Sequence, residues 1–215
     1  MVSARYFVGM TGMNVALVDH MTFCRINKNS KNNTDRLIAN IKTATVGTKC
    51  VTAKFQNGRK IEVYYNGDYR KFDRNGKLAS TGSTDKNRCI EKGHICLNID
   101  GRKIWLERFV AICVDIVRGI MPDSYDGWNA NVMDGSGSIC TACKLGIPMN
   151  LHPDNIEWCF PSENTKHGQL ILKLKEKTGH VYSFSAFDVS LFNIYYTRPT
   201  QDLINYCKAN LVEVK

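Results

Sequence analysis

Asn131-Val-Met-Asp-Gly135, Asn155-Ile-Glu-Trp158 and Ser162-Glu-Asn-Thr-Lys-His167 lie in one stretch of the chain, and the reading of that stretch decides the fold. The Asp-Gly pair marks a tight turn, because both residues accept the backbone geometry a turn needs. A long loop follows, then a short apolar piece, then a polar run with helical character. The stretch therefore reads as two short strands and a helix that bring a few polar side chains together.

Outward from it, the 215-residue chain suits one large domain or a compact domain with appendages. No segment reaches the roughly 18 apolar residues that a membrane span requires. Tyr6 to Val18 is mildly apolar but broken by Thr11, Gly12 and Asn14, so it reads as a buried strand or helix, not a signal peptide. The nine cysteines are scattered, several within apolar runs, as expected of reduced, buried thiols in a cytoplasmic protein. Only Cys140 and Cys143 have metal-like spacing.

The net charge is +9, and it is concentrated. From Arg25 to Lys77 thirteen Lys and Arg face four acids, an excess of nine that equals that of the whole chain. A localised basic surface is the footprint of a polyanion binder. The plainer alternative is a solvated face. The same region alternates with period two. Val51, Ala53 and Phe55 are followed by Asn57-Gly58, Lys60 to Tyr65, Asn66-Gly67, Tyr69 to Phe72 and Asn75-Gly76. Three Asn-Gly pairs predict an antiparallel meander with type I′ turns and Lys and Arg on its solvent side.

Residues 24–34 read as an Asn-rich loop, and Asp35 to Lys42 as a short helix with Leu37, Ile38 and Ile41 on one side. Residues 80–90 read as a linker or loop. His94 to Ile99, Asp100-Gly101 and Arg102 to Leu106 form a hairpin that runs into a helix from Glu107 to Gly119. Leu170 to Leu174 reads as a strand. Ser183 to Phe187 leads into a short helix, and Thr200 to Leu211 forms another after Pro199. A loose helix-turn-helix over Ser183 to Leu211 competes with two core-packing helices, the plainer account. The fold class is α+β: a β-rich basic part over 1–80, a central ββα module over 90–168, and a C-terminal strand and helices over 169–215.

Gly93-His-Ile-Cys-Leu-Asn-Ile-Asp-Gly-Arg-Lys-Ile-Trp-Leu-Glu-Arg-Phe-Val-Ala111 resembles the opening segment of HNH endonucleases of the phage and intron-homing type. The three quoted pieces resemble that family's Asn/Asp-His-x-Asp-Gly, Asn-Leu-Glu-Trp and Ser-Glu-Asn-x-x-His, in the same order. The resemblance implies a ββα module holding one divalent cation, Mg²⁺ or Mn²⁺, against a scissile phosphate, with oxygen ligands and a neutral His as general base. By that resemblance Asn131 and Asn155 stand at the metal-binding positions, Asp134 can add an oxygen, and Val132 stands where the base belongs. Asp126 is a further oxygen donor in reach of the pattern. Glu107 replaces an earlier His of the family. Losing a general base typically costs about 10²–10⁴ in rate. His152 and His167 are the candidates for a displaced base, with a structural hydrogen bond the plainer role for His167.

The loop from Gly135 to Asn155 is longer than the family's. With Cys140, Cys143, His152 and Cys159 it offers a zinc set, against the plainer reading of buried thiols. The expected function is DNA binding on an HNH-like scaffold with lost or weak cleavage. The DNA-contacting residues are Lys54, Arg59, Lys60, Arg70, Lys71, Arg74 and Lys166, with Tyr64, Tyr65 and Tyr69 as stacking candidates. The alternatives are an active metal-dependent endonuclease or nickase, and a phage protein that binds and inhibits a host protein. The expected partner is double-stranded DNA, with no membrane, and the expected location is the cytoplasm, that of the host cell for a phage-encoded protein.

Overall fold

The computed structural model describes residues 15–17, 33–82 and 89–214. The readings made on 1–14 and 18–32, including most of the Asn-rich loop, lie outside the described residues. Strands β1 (Val15–Leu17), β2 (Ile41–Val46), β3 (Cys50–Phe55), β4 (Lys60–Tyr64), β5 (Tyr69–Phe72) and β6 (Leu78–Gly82) form one antiparallel sheet in sequence order. The meander is as expected. Its turns are not. At Asn57-Gly58, Asn66-Gly67 and Asn75-Gly76 only the glycine takes a positive φ, at 82°, 87° and 79°. Each loop closes the same way: Gly58 N donates to Phe55 O while Phe55 N donates to Arg59 O, and the other two repeat it. These are three-residue loops, a type I turn followed by a left-handed glycine. The two-residue type I′ turns occur instead at Lys92-Gly93 and Asp100-Gly101, where both residues have positive φ.

Helix α1 spans Asn33–Ile38 and is shorter than the helix expected over Asp35 to Lys42. Asn40 ends it: its backbone N–H reaches Leu37 O and its side chain donates to Arg36 O. Ile41 then opens β2, yet Leu37, Ile38 and Ile41 are all buried, so the apolar spacing served the core through a turn.

Strands β7 (Cys89–Glu91), β8 (His94–Ile99) and β9 (Arg102–Trp105) form a three-stranded sheet that runs straight into helix α2 (Leu106–Arg118). Gly119 stops α2 in the left-handed region, with its N–H on Asp115 O and Ile116 O. Ten of the thirteen α2 residues are buried because the helix lies between the large sheet and the hairpin below. Its apolar side chains join Val51, Val63, Leu97, Val132 and Leu151 in one core.

Strand β10 (Asn129–Val132) pairs antiparallel with β11 (Ile156–Cys159), and helix α4 (Pro161–Thr178) follows. Between the strands, the expected long loop contains helix α3 (Ile139–Leu145) and a 3₁₀ turn at Pro153–Asn155. The expected strand over Leu170 to Leu174 is corrected: these residues lie inside α4. Their apolar run is long enough for a strand, but Leu170, Ile171 and Leu174 fall at helical spacing with His167, and all four are buried. Pro161 opens the helix, and Glu163 Oε2 accepts from Phe160 N at 3.0 Å.

A second core gathers Leu145, Leu170, Ile171, Leu174, Tyr182 and Phe184 with α5 (Val189–Thr197) and α6 (Thr200–Asn210), through Leu191, Leu203 and Cys207. The last two helices thus pack into a core. A short ribbon of β12 (Tyr182–Ser183) and β13 (Val212–Glu213) closes the chain. The architecture is α+β. The first core draws on both sides of residues 83–88, and α4 runs continuously through 168 and 169.

Candidate functional site

In the β10–β11 hairpin Asn131 lies directly opposite Glu157 and Val132 opposite Ile156. Asn131 is buried, and its Nδ2 donates to Glu157 Oε1 at 2.9 Å. The Glu157 carboxylate also accepts from Ala186 N at 2.6 Å and from Ser185 Oγ at 2.7 Å. One carboxylate therefore ties the hairpin to the segment after β12.

The turn after β10 is equally committed. Asp134, 2% exposed, accepts Ser136 N at 2.8 Å on one oxygen and Asn150 Nδ2 at 3.3 Å on the other. Ser136 Oγ accepts Asn150 N at 2.9 Å. Gly135 has φ 77°, a conformation that any other residue takes only with strain, and a Cβ there would press on the side-chain tips of Leu145 at 2.9 Å and Ile171 at 3.0 Å. Asn155 donates Nδ2 to Asn150 O at 2.8 Å, and its Oδ1 faces Ser183 Oγ at 3.5 Å.

Val132 is buried in the first core, and a Cβ on Gly137 would lie 2.5 Å from its Cγ2. His167 is 1% exposed, with Nε2 at 3.1 Å from both Met133 O and Phe184 O. Two carbonyls at one nitrogen require a donor there, so Nε2 carries the hydrogen. Burial lowers the His167 pKa against the opposing pull of Glu157 and the two carbonyls. The residue clamps the turn and the β12 segment onto α4. His152 caps the 3₁₀ turn, with Nδ1 accepting from Asp154 N, and its ring stands edge-on to Tyr65 at 5.0 Å.

This donor set does not fit a hard divalent cation. Asn131 and Asn155 offer neutral amides, and the carboxylates of Asp134 and Glu157 already accept on both oxygens. Such cations take oxygen ligands that normally include free carboxylates. The zinc set is not assembled either. Cys140 and Cys143 are exposed on α3, whereas Cys159 is buried. Burial, aided by Glu157 and Glu163, pushes its thiol up to about 12. Among the described residues no three His, Cys, Asp or Glu side chains are grouped to hold a metal.

Sequence reasoning missed the residues that hold the hairpin against α2. Asp115 accepts Tyr125 OH at 2.9 Å and Trp158 Nε1 at 2.7 Å. Arg108 donates to Thr34 Oγ1, Tyr125 O and Trp128 O, and its guanidinium stands over the Trp158 ring. The available signal was Arg108 and Asp115, two opposite charges seven residues apart on a helix whose residues between them are all apolar. Asp126, weighed as an oxygen donor, is exposed, and its N–H is held by Ser124 Oγ. Glu107, 1% exposed, faces His94 Nδ1 at 2.6 Å, and His94 stacks on Trp105.

The basic candidates divide. On β3 and β4 the buried residues are Val51, Ala53, Phe55, Ile61 and Val63, so Lys54 and Lys60 project from the outer face. Arg70 joins them from β5. Lys71 points the other way and donates to Asn98 O at 2.8 Å. Arg59 pairs with Asp100, Arg74 sits beside Gly58 in an exposed turn, and Lys166 lies on α4 beside a groove with Gln169 and Phe187. Of the three tyrosines only Tyr64 is on the outer face; Tyr69 is buried, and Tyr65 OH donates to Gly47 O at 2.6 Å. No helix among the described residues is long and apolar enough to cross a membrane. Compared with known proteins, the chain matches no family model, no curated protein and no solved structure.

Proposed function

We propose that the protein binds double-stranded DNA through the outer face of its N-terminal sheet, and that its hairpin–helix unit is a scaffold without cleavage chemistry. The observation that carries this reading is the grouping of Lys54, Lys60 and Arg70 on the outer sheet face. Lys54 and Arg70 make no ion pair among the described residues, so their charge is available to phosphates. The order of hairpin and helix supports the resemblance to HNH endonucleases. The buried Val132 and the carboxylates of Asp134 and Glu157, each already bonded on both oxygens, support binding without cutting.

A supercoiled-plasmid assay with Mg²⁺ or Mn²⁺ tests the reading. The expected result is gel retardation without nicked product. Nicking that disappears in Asn155→Ala would instead favour a working endonuclease.

A further inference from the structure

β4 is the middle strand of the five that span residues 41–82, and its outer face carries Lys60, Glu62 and Tyr64 at alternate positions. Glu62 accepts from both neighbours: Lys60 Nζ at 2.8 Å on Oε1 and Tyr64 OH at 3.2 Å on Oε2. The register sets Thr52 on one side of Glu62 and Arg70 on the other. Arg70 makes no ion pair with Glu62; its guanidinium stands 5.3 Å over the Tyr64 ring. Lys60 Nζ lies 3.8 Å over the Phe72 ring.

A face built only to neutralise phosphate gains nothing from a carboxylate at its centre, since the acid repels the phosphates that the lysines attract. The Lys60 and Tyr64 bonds hold that carboxylate in one place while each of its oxygens keeps a further lone pair. Beside it stands the Arg70 guanidinium, whose donor fork has no hydrogen-bond partner among the described residues. An acceptor next to a bidentate donor matches the major-groove edge of a G·C pair, where cytosine presents its N4 amino group and guanine presents O6 and N7. Directly opposed residues place their Cβ atoms roughly 5 Å apart.

We infer that Glu62 and Arg70 read a G·C pair in the major groove, Glu62 accepting from cytosine N4 and Arg70 donating to guanine O6 and N7, while Lys54 contacts a flanking phosphate. The inference rests on the binding reading above and adds sequence preference to it.

The test is selection from a randomised duplex library by the wild type, by Glu62→Met and by Arg70→Met, substitutions on the outer face that remove the acceptor and the donor fork. The wild type is expected to enrich a G·C pair at one position, by about tenfold over other pairs. Each substitution is expected to reduce that enrichment, and Glu62→Met is expected to bind random duplex more tightly. Binding without base preference, or a preference unchanged in both variants, overturns the inference and leaves the binding reading standing. Absence of duplex binding by the wild type at low salt overturns both.

Discussion

Val132 and Gly137 are in contact so close that a Cβ on Gly137 would lie 2.5 Å from Val132 Cγ2. Val132 is also 4% exposed and belongs to the first core. An imidazole at 132 would be overpacked against Gly137 and would bury polar nitrogens. Val132→His is therefore expected to lower stability by about 2–4 kcal/mol, read from chemical denaturation. It is expected to produce no plasmid nicking in Mg²⁺ or Mn²⁺, because the carboxylates around it remain occupied. Nicking by this variant would show that only the base was missing.

Glu157 accepts from Asn131, Ser185 and Ala186. Glu157→Ala leaves three donors without their acceptor where the two cores meet. The expected loss is about 2–4 kcal/mol. Hydrogen exchange should localise the loosening to residues 183–187 and to β10. Uniform protection in both segments would contradict the tie.

Asp115 carries a raised pKa of about 6 against an ordinary 3.8, because burial outweighs the bonds from Tyr125 and Trp158 and the charge of Arg118. Between those two values the folded protein holds a proton that the unfolded chain has released. Stability is therefore expected to fall as pH rises through this window, by up to about 3 kcal/mol, and to change little from this group above it. Denaturation of wild type and Asp115→Asn from pH 4 to pH 7 checks this: the substitution should remove that slope. Trp158 fluorescence reports the same site.

The His94–Glu107 contact acts in a higher window. Burial lowers the His94 pKa, but the bond and the charge of Glu107, with the Gly137 backbone, together raise it above 6.5. The stabilisation is present below the ordinary histidine value and is lost as pH rises through the folded one. His94→Gln should abolish a stability decline that sets in as pH rises above the ordinary histidine value. An unchanged decline would assign it to another group.

Much of the fold was legible because its punctuation is local. Asn-Gly and Asp-Gly pairs between alternating runs marked the meander and the β8–β9 hairpin, and Gly119 marked the end of α2. The turn types were not legible, since Asn-Gly serves both a two-residue turn and the left-handed end of a three-residue one. Leu170 to Leu174 misled because an apolar run has no period of its own; the decisive signals, Pro161 and Glu163, lay nine and seven residues upstream of Leu170. At the candidate site the sequence named Asn131, Asp134, Asn155 and His167, and in the structure all four are buried and hydrogen-bonded. Their roles came from partners far along the chain, such as Ser183, Phe184 and Ser185, which no spacing within the motif announces. Lys71 and Arg59 were separated from Lys54, Lys60 and Arg70 only by the register and by their contacts with Asn98 and Asp100.

The central claim is that the outer sheet face binds duplex DNA. Its most direct test is equilibrium binding of a labelled duplex across salt, for the wild type and for a Lys54→Glu, Arg70→Glu double variant. The wild type is expected to bind at about 50 mM salt and to weaken linearly in log–log form as salt rises. Each phosphate contact should add about 0.9 to the slope. The double variant should lose at least tenfold in affinity and at least one phosphate contact's worth of slope. No wild-type binding at low salt, or equal affinity for the two proteins, would contradict the account.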